Sequence, residues 1–261
     1  MQTGEGPTPY FAVGEGYALY RGPLTDGSFH HHAAFQVAVA VAAGDVLIVD
    51  ASGAGHRGPA VIVPPMVRHR MAPTPGVLTC FVDPHSAFAD RLRAACREGV
   101  TVAPDLRGLD EQELRRAGGL RSAELDPRLR AALDALTERG APLPAVAAQI
   151  GLSPQRLRAL SRQQLGLPLT RWRIWQRLVR AAEALSDGQT LAEAAVTAGF
   201  ADQAHFSRQM REMLGMTPSA VLPVLRRSVA TGGVDGDRAG DRRDDLRLAH
   251  RPEPGLEHEV G

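Results

Sequence analysis

The spacing of apolar and polar residues divides the chain near residue 84. Before this point, alternating or short β-branched runs are separated by Gly, Pro, Ser and Asp. The clearest runs are 35–41, 45–50, 60–63 and 77–82. Closely spaced short runs of this kind are typical of strands in a sandwich or barrel. Beyond residue 84, apolar residues recur at steps of three and four, which predicts helices.

Helices are predicted over 85–98, over 110–117 and, almost without interruption, from 128 to about 225. The expected fold class is therefore α+β, with an N-terminal β-barrel and accessory helices followed by an all-α domain. The predicted domains are 1–120 and 128–225, with a linker over 120–127. Residues 226–261 contain few large apolar residues and many charges, so we expect a disordered tail.

The helical half contains one sequence unit twice, at residues 143–166 and 191–215. In each unit an alanine precedes a glycine by four positions, Ala147 before Gly151 and Ala195 before Gly199. A small alanine lets two helices approach closely, and a glycine accepts the turn conformation between them. The repetition predicts two helix-turn-helix motifs.

A long helix is predicted between the two units, over residues 168–186. At 1.5 Å per residue it spans roughly 28 Å. Major-groove segments on one face of B-DNA repeat at roughly 34 Å, so one rigid helix can hold two recognition helices in adjacent segments. Trp172 and Trp175 follow the helical spacing and are expected in the core.

Composition places the chain among ordinary globular proteins, with 44% apolar and 23% charged residues. The longest apolar run, near 37–43, is far shorter than the roughly 20 residues that span a bilayer. The N-terminus has neither a basic segment nor an apolar one of secretory type, so a cytoplasmic location is expected. Cys80 and Cys96 are then expected to be reduced thiols.

The distribution of charge along the chain says more about function than the overall composition does. All 30 basic residues are arginine, and residues 128–227 hold 14 of them against 7 acidic residues, a net charge of +7. The segments on either side each carry −3. A basic helical domain in a nearly neutral chain indicates an anionic partner, of which double-stranded DNA is the first candidate. The alternative is a solvated basic face without a partner.

These residues resemble the AraC/XylS family of transcription regulators over about residues 128–222. The segment AGFADQAHFSRQMREMLGMTPSAV in the second unit is similar to the signature of that family, and RLVRAAEAL to its connecting helix. Val221 and Leu222 stand where the family usually has an aromatic residue and an arginine, and Met210 and Ser161 replace phenylalanines. The resemblance implies a sequence-specific DNA-binding regulator that is not an enzyme. The partners that the resemblance implies are DNA, a small-molecule effector and a second copy of the chain. RNA polymerase is a further implied partner, as expected for a transcription activator.

In such domains the exposed face of each second helix enters the groove. We expect Gln155, Arg158 and Gln203 to read bases, because Gln pairs with adenine and Arg with guanine. Phosphate contacts are expected from Arg162, Arg208 and Arg211. The full predicted DNA-binding surface is Gln155, Arg156, Arg158, Arg162, Gln203, His205, Ser207, Arg208 and Arg211.

The strand-rich half resembles the cupin-like sensory domain of many such regulators. The segments GPAVIVPPMVRH and HHHAAFQ are similar to the two cupin motifs, with Met66 at a usual glycine and Gln36 where metal-binding cupins have Glu. The predicted effector-binding residues are His30, His32, Gln36 and His69. The resemblance implies an organic effector without metal or cofactor. A three-histidine metal site and ordinary strand histidines are the two alternatives.

Three further questions stay open at this level. A metal-dependent cupin enzyme with an appended DNA-binding domain is the rival function, against which Gln36 argues. A third possible function is that of a DNA-binding protein that responds to no ligand. In the family the helices after the barrel often dimerise, so the stripe Phe88, Leu92 and Ala95 either forms a dimer contact or packs on its own barrel.

Overall fold

The computed structural model describes residues 8–24, 27–41, 44–96, 99–137 and 142–225. The predicted tail, 226–261, lies outside these residues. Within them, the N-terminal region is built from nine strands. These are β1 (Tyr10–Gly14), β2 (Tyr17–Leu24), β3 (Phe35–Ala40), β4 (Val46–Asp50), β5 (Gly55–Gly58), β6 (Ala60–Val63), β7 (His69–Met71), β8 (Thr74–Val82) and β9 (Thr101–Val102).

The strands form two antiparallel sheets. Six strands are ordered β1-β2-β8-β3-β6-β9, and three are ordered β5-β4-β7. Residues from both sheets share one apolar cluster, in which Ala38 and Val61 of the larger sheet meet Val46 and Ile48 of the smaller. The two sheets therefore pack face to face, and the four strands predicted from sequence all lie in them.

Two helices cover the other face of the larger sheet. These are α1 (Ala87–Ala95) and α2 (Glu111–Gly118). Phe88, Leu92 and Leu114 are fully buried in a cluster with residues of that sheet. Ala95 is exposed. Packing on the chain's own sheet thus accounts for most of the stripe.

The C-terminal part is helical. Its elements are α3 (Pro127–Thr137), α4 (Leu143–Gln149), α5 (Pro154–Leu165), α6 (Leu169–Ser186), α7 (Leu191–Ala198), α8 (Gln203–Leu214) and α9 (Pro218–Val221). Gly151 after α4 and Gly199 after α7 have φ of +68° and +85°, the left-handed region that glycine tolerates best. Ala147 and Ala195 are completely buried, as the close approach of paired helices requires. The predicted α+β class is confirmed.

One apolar core runs from the larger sheet into the helical domain. Phe11 and Phe81 of the sheet belong to the same cluster as Trp172 and Trp175 of α6. Both tryptophans are 1% exposed, which confirms their expected core role. The described residues all fall in one compact unit. Among them, no helix is both long enough and apolar enough to cross a membrane.

Candidate nucleic-acid interface and buried histidine cluster

Helix α5 presents a basic face to solvent. Its start is fixed by Ser153, whose side chain accepts a hydrogen bond from the Arg156 amide, and by Pro154 at the first helical position. Leu157 and Leu160 are buried on the inner side. The predicted DNA-contacting residues of this helix are all exposed: Gln155, Arg156, Arg158 and Arg162.

Helix α8 has the same organisation with a more complex outer face. The Asp202 side chain caps its N-terminus by accepting from the His205 amide at 2.6 Å. Phe206, Met210, Met213 and Leu214 are buried. Gln203, Arg208 and Arg211 are exposed, whereas His205 and Ser207 are half-buried.

The half-buried pair on α8 makes local contacts. The His205 ring meets Phe200 edge-on, with centroids 5.4 Å apart. The Ser207 hydroxyl donates to the Gln203 carbonyl at 2.8 Å. These two side chains therefore help to hold the helix as well as lying on its outer face.

The outer face of α8 borders a groove that also belongs to the sheet region. The groove has a volume of about 550 Å³, and its walls are Ser28, Phe29, His30, His31, Arg68, Ser207, Arg208, Arg211 and Glu212. Glu212 pairs with Arg171 of α6 at 2.6 Å, which leaves the rest of the groove basic. The predicted DNA-contacting residues of α5 are not among its walls. The outer faces of α5 and α8 thus differ in their surroundings.

Helix α6 links the two helix pairs. Its 18 residues span roughly 27 Å, close to the repeat of major-groove segments along one face of DNA. Ser161, which replaces a usual phenylalanine, is buried, and its hydroxyl donates to the Leu167 carbonyl at 2.7 Å just before α6 begins.

The four predicted effector residues converge in the sheet region. His30 and His69 are brought together by an antiparallel bridge with two 2.9 Å backbone hydrogen bonds. The Nε2 atoms of His30 and His32 are 3.1 Å apart. Gln36 Oε1 lies 2.8 Å from His32 Nε2 and 2.6 Å from His69 Nε2. One ligand atom from each histidine can be chosen so that all three lie within 4.8 Å of one another.

The backbone around this cluster is also constrained. Met66 is the one residue other than glycine with a positive φ in the described part of the chain, at +66°. Its amide donates to the His32 carbonyl at 2.7 Å. The left-handed conformation costs a side-chain-bearing residue energy, which accounts for the glycine expected at this place.

Burial governs the electrostatics of the cluster. It lowers the pKa of His69 to about 4, with the nearby His30 acting in the same direction. It lowers the pKa of His32 well below the usual value, and His30 and His69 add to the effect. The pKa of His30 is lowered as well, mainly by burial. Burial thus favours the uncharged form of all three rings.

The sequence analysis missed a second polar site, at the end of β8. Asp83 is 3% exposed, and its Oδ2 accepts from Trp175 Nε1 at 3.2 Å and from Gln176 Nε2. Its Oδ1 accepts from the ring of His85. A neighbouring cavity of about 490 Å³ is lined by residues of both regions. An Asp-Pro step reads locally as a turn, so only the partners 92 and 93 positions away reveal this carboxylate as a link to α6.

Comparison with known proteins agrees with the helical geometry. Residues 146–223 match the family described as a helix-turn-helix domain. The arabinose operon regulatory proteins of Escherichia coli K12 and Salmonella typhimurium LT2 are each 37% identical to this chain over 100 residues. That stretch is 36% of this chain and 34% and 36% of the two regulators, so the match spans about a third of their length.

Solved structures extend the likeness to the sheet region. ToxT from Vibrio cholerae has a TM-score of 0.54 at 8% identity, covering 80% of this chain and 99% of that one. A structure of ToxT with a bound unsaturated fatty acid has a TM-score of 0.53 at 11% identity, covering 85% and 97%. At such low identity the likeness establishes the fold.

The paired helices, their exposed basic faces and these matches define a helix-turn-helix protein of the DNA-binding class. Residues 146–223 carry the helix-turn-helix domain. The C-terminal part of the chain is similar to the arabinose operon regulatory proteins over about a third of their length.

Proposed function

We propose that the chain is a sequence-specific transcription regulator that binds double-stranded DNA through two helix-turn-helix motifs, α4–α5 and α7–α8, held by α6. The observation that carries the proposal is the outer face of α5. It presents three exposed arginines around the solvent side of a capped helix, Arg156, Arg158 and Arg162, and none of them forms an ion pair within the described residues. Unpaired guanidinium groups on a recognition helix suit phosphates and guanine edges.

The individual roles follow the position of each side chain along its helix. Gln155 and Arg158 lie in the first turn and a half of α5, and Gln203 opens α8, where side chains meet base edges. Arg162, Arg208 and Arg211 lie further along and are assigned to phosphates. Because the groove beside the sheet region borders α8 and not the predicted contacts of α5, we assign the stronger DNA contact to α5.

The sheet-rich region, with its two stacked sheets, is proposed to be a cupin-like effector-binding domain over 1–120, ahead of a DNA-binding domain over 128–225. His30, His32, Gln36 and His69 would form the effector site. ToxT has been solved with an unsaturated fatty acid. Here the cavity beside the cluster measures only about 60 Å³, against roughly 300–1,000 Å³ for sites of drug-sized ligands. The effector at this cluster is therefore small.

Two partners belong to the proposal through family resemblance. A second copy of the chain would bind a two-part operator, and RNA polymerase would be the target of an activator. The burial of Phe88 and Leu92 means that any dimer contact through α1 uses the helix surface on which Ala95 is exposed. The comparisons give the rival cupin enzyme no support, since the matched family is a helix-turn-helix domain and the matched relatives are operon regulatory proteins.

Selection from randomised duplex DNA with the full chain tests the proposal. A selected sequence should bind with an affinity that falls steeply as salt rises, because arginines displace counterions from phosphates. Arg158→Ala should weaken binding by about 1–3 kcal/mol, roughly 5- to 150-fold, and relax preference at one base pair. Arg116→Ala removes an exposed arginine of α2 and is the matched control.

Two results would count against this function. One is the absence of any selected sequence at low salt from a folded full-length chain. The other is an Arg116→Ala loss as large as that of Arg158→Ala, since binding would then follow total charge and not the α5 surface.

A further inference from the structure

The groove beside α8 has walls from both halves of the chain. Ser207, Arg208 and Arg211 come from α8, and Arg68 lies just before β7 in the sheet region. Gln203, which is proposed to read a base, is not one of the walls. The sheet region therefore approaches α8 along the part of the helix that is assigned to phosphates.

The groove contains three guanidinium groups that no carboxylate neutralises. Arg68, Arg208 and Arg211 are exposed, and none of them forms an ion pair within the described residues. Glu212, the acidic wall, is already paired with Arg171 at 2.6 Å. Positive charges gathered around one concave surface raise its potential and attract an anionic partner.

Arg68 does not belong to the basic segment of the sequence. It lies in residues 1–127, whose net charge is −3, whereas the net charge of +7 is carried by residues 128–227. Folding therefore adds an arginine of the acidic half to the basic surface of α8. Repulsion among the three guanidinium groups opposes this arrangement, and an anion bound in the groove would relieve it.

An exposed aromatic ring holds Arg68 beside the groove. Phe29 is 40% exposed, and the guanidinium carbons of Arg68 and Arg70 lie 5.3 Å and 5.7 Å from the centroid of its ring. Attraction between a guanidinium group and the face of a ring restricts the long arginine side chain. A side chain that is already restricted loses less conformational entropy when it binds a partner.

Contacts at the end of α8 fix the position of the sheet region beside that helix. The Nδ1–H of His32 donates to the carbonyl of Met213, in the last turn of α8. Gly215, directly after the helix, packs so closely on the ring of His30 that an added Cβ would lie 3.2 Å from it. The distance between Arg68 and the arginines of α8 is therefore set by the fold.

We propose that Arg68 contacts a phosphate of the DNA that α8 binds, so that the sheet region forms part of the DNA-binding surface. This inference rests on the proposed function. The occupant of the groove is DNA because the groove continues the side of α8 that is assigned to the phosphate backbone. A duplex also presents one negative charge per roughly 1.7 Å of its length. The contact would help to position α8 on the duplex without reading its sequence.

Binding of the full-length chain to the selected DNA, measured over a range of salt concentrations, tests the contact. Arg68→Ala should weaken binding to selected and to random DNA equally. The ratio of wild-type to variant affinity should shrink roughly 3.5-fold between about 50 and 200 mM salt, because one phosphate contact adds about 0.9 to the slope of log affinity against log salt. Arg68→Lys keeps the positive charge and should lose less affinity than Arg68→Ala.

Arg107→Ala is the matched control within the same half of the chain. It removes an exposed arginine between β9 and α2 that is not a wall of the groove, and it should bind DNA like the wild type. Because Arg68 and Arg107 are both exposed, neither substitution should change the melting temperature. A difference in DNA affinity between the two variants then reports on the groove and not on folding or total charge.

Ethylation interference locates the contact on the DNA. An ethyl group removes the negative charge of a phosphate, so ethylation weakens binding wherever the protein contacts that phosphate. One phosphate should interfere with binding of the wild type and of Arg107→Ala but not of Arg68→Ala. It should lie on the same stretch of backbone as the phosphate at which Arg208→Ala loses interference.

Three results would overturn the inference. Arg68→Ala could bind DNA as tightly as Arg107→Ala, which would mean that the sheet region makes no contact. It could bind more tightly than the wild type, which would mean that the sheet region obstructs α8. Losses of equal size in Arg68→Ala and Arg107→Ala would mean that binding follows total charge.

The same measurements distinguish this inference from the proposed function. If DNA is selected and Arg158→Ala weakens binding while Arg68→Ala does not, the regulator function stands and the sheet region takes no part in DNA binding. If the folded full-length chain selects no DNA, the function itself fails and the inference fails with it.

Discussion

Asp83 offers a direct test of how the sheet region is joined to the helical domain. The substitution Asp83→Ala removes the acceptor for three side-chain donors, Trp175 Nε1, Gln176 Nε2 and the His85 ring, and for the backbone amide of His85 at 3.1 Å. Trp175 is 1% exposed, so its indole N–H would be buried without a partner. Gln176 and His85 are only partly buried and can turn to water.

The magnitude follows from these three donors. A buried group that loses its partner costs about 1–3 kcal/mol, and breaking a buried charge pair costs about 3–5 kcal/mol. Since two of the donors regain water, we expect a total loss of about 3–4 kcal/mol in the free energy of unfolding. For a chain of this size that lowers the melting temperature by roughly 6–16 °C, at about 2–4 °C per kcal/mol.

Urea and thermal unfolding of the purified full chain measure this loss. Asp83→Asn keeps one acceptor oxygen and should lose less than Asp83→Ala. Asp105→Ala removes an exposed carboxylate and should stay within about 0.5 kcal/mol of the wild type. An Asp83→Ala loss below about 1 kcal/mol, or one equal to that of Asp105→Ala, would refute the reasoning that this carboxylate joins the two regions.

Three further predictions concern charge, pH and packing. Arg208→Ala should weaken binding to selected and to random DNA equally, and it should reduce the salt dependence of binding by about one phosphate contact. An altered base preference, measured on single-base variants of the selected DNA, would contradict the phosphate role. Burial lowers the pKa of His85, but the charge of Asp83 outweighs it and the net pKa is raised. The contribution of the His85–Asp83 pair to the free energy of unfolding is therefore complete below about pH 6.5. It is lost as pH rises through the pKa of His85 in the folded protein. Urea unfolding should show this loss in the wild type, and an equal loss in His85→Gln would contradict it. Phe206→Ala should cost about 3–5 kcal/mol in unfolding free energy, because the ring is 1% exposed and lies beside Phe200. The control Val196→Ala changes a side chain that is 67% exposed and should cost almost nothing. Equal losses in the two variants would show that α8 is not anchored by its buried face.

The sequence by itself determined the elements of this protein. The apolar spacing predicted α6 to within one residue, and it predicted the two units, 143–166 and 191–215, that contain α4–α5 and α7–α8, because helical periodicity and end residues are local properties. Ser153 and Pro154 mark the start of α5, and Gly166 ends it with a φ of +75°. Trp172 and Trp175 could be placed in the core for the same reason. The inner and outer faces of each recognition helix follow directly from these patterns.

Only the tertiary structure decided which distant residues meet. The resemblance to the cupin motifs implied that His30, His32 and His69 share a site, yet it could not show the contact of His32 with Met213, 181 positions away. Nor could it show the link from Asp83 to α6, or that the groove beside the sheet region is lined by residues of α8 and by none of the predicted DNA-contacting residues of α5. Local periodicity records which side of an element is buried. Which element packs against the buried side is decided by tertiary contacts, because hydrogen bonds and the burial of apolar surface join residues that are far apart in the sequence.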